Sequence, residues 1–215
     1  MCGRFLLESD IQEIIKTYKI VNREIEEYDR GDFYPSQNAP IVVENKERTL
    51  KFGKWGYNLT NSKRLIINAR AESIMNKPMF KTSIYTARCI IPANLFYEWK
   101  SEDNRTKVKY GIKLRDSSLI SLGGIYKEYI DENLNRRLNF VIITTESNDN
   151  MKGIHGRMPL IIKDDLLDYW LNNNTSLKAI EEIFRSNRDN EFVIEKYEDE
   201  PKKDTNGDYQ QLRMF

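Results

Sequence analysis

The chain has 215 residues, 40% hydrophobic and 31% charged, with 34 Lys and Arg against 33 Asp and Glu for a formal charge of +1. This is an ordinary soluble globular composition with enough length to bury a substantial core. No apolar run approaches the roughly 18 residues of a membrane span. FLLESD near the start is too short and too acidic for a secretory leader, so the expected location is cytoplasmic.

In chain order, Ser9 and Gln12 have capping-box spacing, and Ile11, Ile14, Ile15 and Tyr18 then fall on one helical face. A polar stretch through Asp32 leads to Pro35 and Pro40. Strand-like runs follow at Ile41–Val43, Leu50–Phe52, Leu65–Ile67 and Arg88–Ile91. Apolar residues alternate strictly over Val108–Leu114, as in a half-buried strand. Ser121–Tyr126 and Asn139–Thr145 read the same way, parted by a polar turn region at Asp131–Asn135. Two helices are expected near the end. One starts near Asp164 and carries Leu166, Leu167 and Trp170; the other starts near Ser176 and carries Ile180, Ile183 and Phe184. A last strand at Phe192–Ile194 precedes an acidic tail from about 198 that is expected to fray. The simplest organisation is one α+β domain over 1–215, built on antiparallel strands.

The near-zero net charge hides an uneven distribution. Lys51, Lys54, Lys63, Arg64, Arg70, Lys77, Lys81 and Arg88 face one acid, Glu72, between Lys51 and Ile90. From Asp189 to Asp208, eight acids meet three lysines. A basic middle suits an anionic ligand; two solvated faces of opposite sign would read the same.

Chemistry can be placed at few positions. Cys2 is one of two cysteines. Removal of Met1 would give it a free α-amine beside a thiol, and the ordinary α-amine pKa of about 7.7–8.0 leaves a neutral fraction near pH 7. Such a 1,2-aminothiol condenses with an aldehyde and closes to a thiazolidine; otherwise Cys2 is a surface residue at a start site. Glu98, among Phe96, Tyr97 and Trp99, is either salt-bridged at a sheet edge or desolvated for proton transfer. His155, the only histidine, sits in the glycine-bracketed loop Gly153–Gly156. Asn68 and Arg70 share a strand face and suit a sugar hydroxyl and a phosphate, or a cross-strand pair with Glu72. Cys89 reads as a small buried hydrophobe. One histidine and no Cys-x-x-Cys spacing argue against zinc, and nothing calls for an organic cofactor.

Four separated blocks carry a resemblance: Cys2-Gly3-Arg4-Phe5, Asn68-Ala69-Arg70-Ala71-Glu72, Arg88–Ala93 running into Tyr97-Glu98-Trp99, and His155-x-Arg157-Met158-Pro159. Together they resemble the SOS response-associated peptidase (SRAP) family, the abasic-site processing proteins. The resemblance implies a β-rich, mostly antiparallel and barrel-like core with peripheral helices, and a positive groove for single-stranded DNA. It implies that Cys2 captures the ring-opened aldehyde of an abasic deoxyribose, with Asn68 orienting the sugar or terminus. Glu98 and His155 would move protons, including those of β-elimination or reversal. Arg4, Arg70 and Arg157 would hold phosphates, and Trp55 would belong to the base-stacking platform. The expected partner is single-stranded DNA containing abasic sites, bound by a monomer that associates with the nucleoid when on DNA, with no membrane involved. Two departures stand out. Trp55-Gly56-Tyr57-Asn58-Leu59-Thr60 lacks the family's second tryptophan, and Pro35–Pro40 is altered from the family pattern.

Two other readings compete. An amide hydrolase or peptidase with an N-terminal cysteine nucleophile, including one that removes its own Met1, would need the same thiol and amine but no DNA. A plain single-strand-binding module would need the basic stretch and Trp55 but not Cys2.

Overall fold

The computed structural model describes residues 2–25, 27–59, 64–102, 106–130 and 134–197. The acidic tail and most of the turn at 131–135 lie outside them.

Five strands close on themselves: Asn38–Glu44, Arg48–Trp55, Arg88–Ala93, Ile120–Ile130 and Arg136–Glu146. Neighbours run antiparallel except at the closing seam, where Lys54 and Trp55 pair in parallel with Asn139 and Phe140. The seam is tight. A Cβ on Gly53 would lie 2.9 Å from Phe140 and 3.0 Å from Ile41, so only glycine lets the strands approach. The rings of Trp55 and Phe140 stack across it at 6.2 Å.

A second antiparallel sheet has the order Phe192–Lys196, Lys107–Leu114, Leu95–Ser101, Phe5–Leu7, Gly31–Phe33. The chain passes from barrel to sheet at Asn94. Its side chain accepts from the backbone of Glu8 (2.6 Å) and Ser9 (3.1 Å) and donates to Ser9 Oγ (2.9 Å) and the Ser118 carbonyl (2.7 Å). Phe5 joins the layers from the other side. Its ring stacks on Phe33 at 5.2 Å and tilts against Trp55 at 5.3 Å. The start of the chain is therefore pinned between sheet and barrel.

The helix over Ile11–Tyr18 forms as its periodicity predicts, burying Ile14 and Tyr18, but its cap is Asp10, which accepts from Glu13 N at 2.8 Å. Ser9 is taken by Asn94 instead. The stretch after Arg70, to which the sequence assigns no element, holds two helices, Ala71–Ile74 and Pro78–Thr86. Pro78 opens the second, and Phe80, Ser83 and Ile84 fall on its buried side. The last two helices stand close to expectation: a 3₁₀ turn at Asp164–Leu166 runs into Leu167–Leu171, and Ser176 caps Leu177–Ser186. Among the described residues no helix is long and apolar enough to cross a membrane.

Arg88 corrects the count of basic surface. It is 1% exposed and donates to the carbonyls of Trp170, Ile84, Tyr85 and Asn172, clamping the Leu167–Leu171 segment onto the barrel. Burial brings its pKa down to about 10.

Candidate active site

Antiparallel pairing of Phe5 with Phe96, together with Tyr97 N donating to Arg4 O at 3.0 Å, lays the first residues along Tyr97–Trp99. Cys2 is thereby fully buried, not a loose terminal residue. Burial, and after it the negative charge of Glu98, hold its thiol well above the ordinary cysteine range.

Glu98 lies on Leu95–Ser101, an interior strand flanked by Phe5–Leu7 and Lys107–Leu114, and is 2% exposed. Of its two readings, the sheet-edge position is thus excluded. Burial pushes its carboxyl above the usual range, while the positive amino terminus, His155 and the Trp99 backbone pull the other way. A buried carboxyl held above its ordinary range beside other titratable groups is a candidate for proton transfer.

His155 ends the loop after Arg136–Glu146. Asn148 anchors that loop, receiving Met151 N (3.2 Å) and donating to Asn190 O (2.8 Å). His155 N bonds to Met151 O at 3.0 Å, and the backbone N–H of Arg157 meets Nδ1 at 3.0 Å. Nδ1 is thus held against the Arg157 backbone, whose carbonyl oxygen also lies 3.1 Å away. The Arg157 side chain is anchored in turn. It makes two 3.0 Å bonds to Glu72 and others to Thr144 O (2.6 Å) and Thr144 Oγ1 (3.2 Å). Burial alone would raise the Glu72 carboxyl, but the Arg157 pair brings it below its ordinary value.

Asn68 is fixed by register: Asn68, Ala69 and Arg70 pair in parallel with Ile142, Ile143 and Thr144. Both polar atoms of its amide are buried, and neither has a hydrogen-bond partner among the described residues. Leaving such groups unmet costs about 1–3 kcal/mol each, the arrangement expected where a ligand completes the bonds.

The structure thus brings Glu98 within electrostatic reach of both Cys2 and His155. Asn68 is tied to the start of the chain only indirectly, through Trp55, which touches Phe5 and donates its Nε1 to the carbonyl of Ile67 at 3.0 Å. The expected DNA-contacting residues divide. Trp55 is fully buried between Phe5 and Phe140, so it offers no face to a base, and a stacking role for it is corrected to a structural one. Arg4 is ion-paired with Asp32 and lies over the rings of Tyr34 (4.8 Å) and Tyr97 (5.0 Å). Arg157 is committed to Glu72. Arg70 is exposed, with no carboxylate partner among the described residues. Arg70 does not pair with Glu72, the cross-strand alternative, because Arg157 already occupies that carboxylate.

Asp32, Tyr34 and Thr144 carry supporting contacts and were not identifiable beforehand, while Glu72 was read only as a partner for Arg70. Asp32 and Tyr34 sit in a stretch that reads only as a polar lead into Pro35, and Thr144 as one residue of an ordinary strand.

A family model described as SOS response associated peptidase (SRAP) matches residues 1–200. The chain is 38% identical over 189 residues to the abasic site processing protein YoaM of Bacillus subtilis, covering 82% of each chain. It is 37% identical over 184 residues to abasic site processing protein YoqW of Bacillus phage SPbeta, covering 80% of each. In fold it is similar to a crystal structure from Bacteroides thetaiotaomicron, with a TM-score of 0.77 and 21% identity over 92% of both chains.

Proposed function

Because the chain belongs to the SOS response-associated peptidase family, we propose that it processes abasic sites in single-stranded DNA by capturing them on Cys2. Removal of Met1 frees the Cys2 amine. The amine adds to the C1′ aldehyde of the ring-opened deoxyribose, and loss of water gives an imine. The sulfur then adds to the same carbon while the thiol proton passes to nitrogen. One N–C and one S–C bond form, one water leaves, and the product is a thiazolidine crosslink that shields the lesion. Glu98 takes and returns the protons of ring opening and dehydration. His155 shares that work and supplies the base for any β-elimination. Asn68 receives the sugar or the amine on its unmet amide, and Arg70 holds a flanking phosphate. The same thiol and carboxyl suit autocatalytic loss of Met1. The observation that carries this reading is the burial of Cys2 against Glu98 at the start of the chain.

Intact mass tests it, alone and after incubation with a single-stranded oligonucleotide carrying one abasic site. The expected result is loss of Met1 and an adduct of protein plus oligonucleotide less one water, absent in Cys2→Ala. Retained Met1 in the reactive protein sinks the mechanism. A free Cys2 with no adduct favours an amide hydrolase instead.

A further inference from the structure

Trp55 is sealed in the core, so bases must find rings elsewhere, and the barrel register points to where. Across the closing seam Lys54 pairs with Asn139, and Asn139 pairs with Lys127 on the next strand. One step along the same faces, Tyr129 pairs with Arg137, and two residues back from Lys54 brings Phe52 level with them. Side chains two apart on a strand share a face. Three adjacent strands therefore present a row of Lys54, Asn139 and Lys127 beside a row of Phe52, Arg137 and Tyr129.

Both rings are open to solvent, Phe52 at 38% and Tyr129 at 41%. They line a cavity of about 630 Å³ together with Lys51, Lys54, Arg136 and Arg137. The two carboxylates at its wall are Glu24, which Lys51 engages at 2.7 Å, and Glu128. Lys54 has no carboxylate partner among the described residues, and Asn139 Oδ1 no donor. The surface is also connected to the active site. The Lys127 ammonium lies 5.0 Å from the centre of the Tyr57 ring, and Tyr57–Asn58 pairs with Leu65–Ile66, two residues before Asn68.

We propose that this outer barrel face is a second nucleic-acid subsite, which holds the single strand leading away from the captured sugar. Phe52 and Tyr129 stack bases, and Lys54 and Lys127 meet phosphates. The inference rests on the capture reading for its connection to a lesion. An acidic protein would pair with the cations but has little use for two exposed rings flanking a guanidinium, whereas a strand of stacked bases on a charged backbone uses both.

The test measures affinity for undamaged single-stranded DNA of about 5 and about 20 nucleotides by fluorescence anisotropy, in wild type, in the Phe52→Ala/Tyr129→Ala double variant and in Lys54→Gln. The wild type should bind the longer strand more tightly. The double variant should lose about tenfold or more of that gain. Lys54→Gln should lower the slope of log affinity against log salt by about 0.7. Both substitutions are at the surface, so a melting curve matching the wild type accompanies them; if the double variant melts early, Lys54→Gln alone decides. An undiminished length gain in both overturns the subsite, as does a wild type that gains nothing from length. Adduct formation by the wild type on an abasic strand is read in parallel. If it fails while the length-dependent loss appears, the subsite stands and the capture reading falls.

Discussion

The proposed capture centre and the proposed outer-face subsite would both meet DNA, yet they are made of opposite materials. Cys2 and Glu98 are dry, and their chemistry comes from desolvation and a few nearby charges. Phe52, Tyr129 and Lys54 are wet, and anything they hold is held by stacking and screened attraction. The dry region should answer to pH and hardly to salt; the wet region should answer to salt and hardly to pH. The proposed division confines chemistry to where water cannot compete and leaves the strand where it can still slide.

The largest expected effect comes from the buried carboxyl. Glu98→Gln should slow single-turnover adduct formation by about 10²–10⁴, the usual weight of a positioned acid–base group. Its effect on stability has the opposite sign. The folded protein raises this pKa, so the stability Glu98 contributes is fully present below its unfolded pKa and is lost as pH rises through the folded one. Glu98→Gln should therefore melt higher than wild type at pH 8, with the gap closing toward pH 4. A gap that does not change with pH, or an unchanged rate, breaks the account of a dry centre.

Next is Arg88, which lies in the basic segment of the sequence but in the core of the fold. Arg88→Leu strips donors from four carbonyls. At about 1–3 kcal/mol for each carbonyl left unmet, the loss should be several kcal/mol, read as a large fall in melting temperature. The salt slope of DNA binding by the remaining folded protein should not move. If it does, the cations of the wet face have been assigned to the wrong residues.

That example also marks what local pattern could reveal. The strands at Val108–Leu114 and Asn139–Thr145 and the helix at Ile11–Tyr18 were legible because each shows its own period. Glu98, His155 and Asn68 stood out as candidates because few other residues could do such chemistry. The places of Trp55 and Phe52 were not legible, since they lie three apart on one strand, and only closure of the barrel against Phe140 decides which is buried. The helix at Pro78–Thr86 went unassigned because Met79-Phe80 and Ile84-Tyr85 make only two short apolar pairs, and only Pro78 at its start signals a helix. Arg88 needed the carbonyls of Trp170 and Asn172, more than 80 positions away, before it could be taken from the surface. Long-range partners, not propensities, separate the two materials of this site.

The smallest effect falls on the boundary between the regions, at Glu72. Its pair with Arg157 is half exposed, so Glu72→Gln should cost no more than about 1 kcal/mol near pH 7. Here the folded pKa is lowered, so the stabilisation is present above the unfolded pKa and is lost as pH falls through the folded one. The deficit of Glu72→Gln should accordingly shrink in acid, the reverse of Glu98→Gln, where the gain shrinks. Two glutamates titrated in the same melting series thus separate a carboxyl held out of water from one held by an arginine. The variant also loosens Arg157, whose backbone N–H braces His155 Nδ1. A shift in the His155 ring resonances of Glu72→Gln, followed by NMR against pH, would show that the ion pair reaches the His155 ring. Unchanged resonances would confine Glu72 to packing.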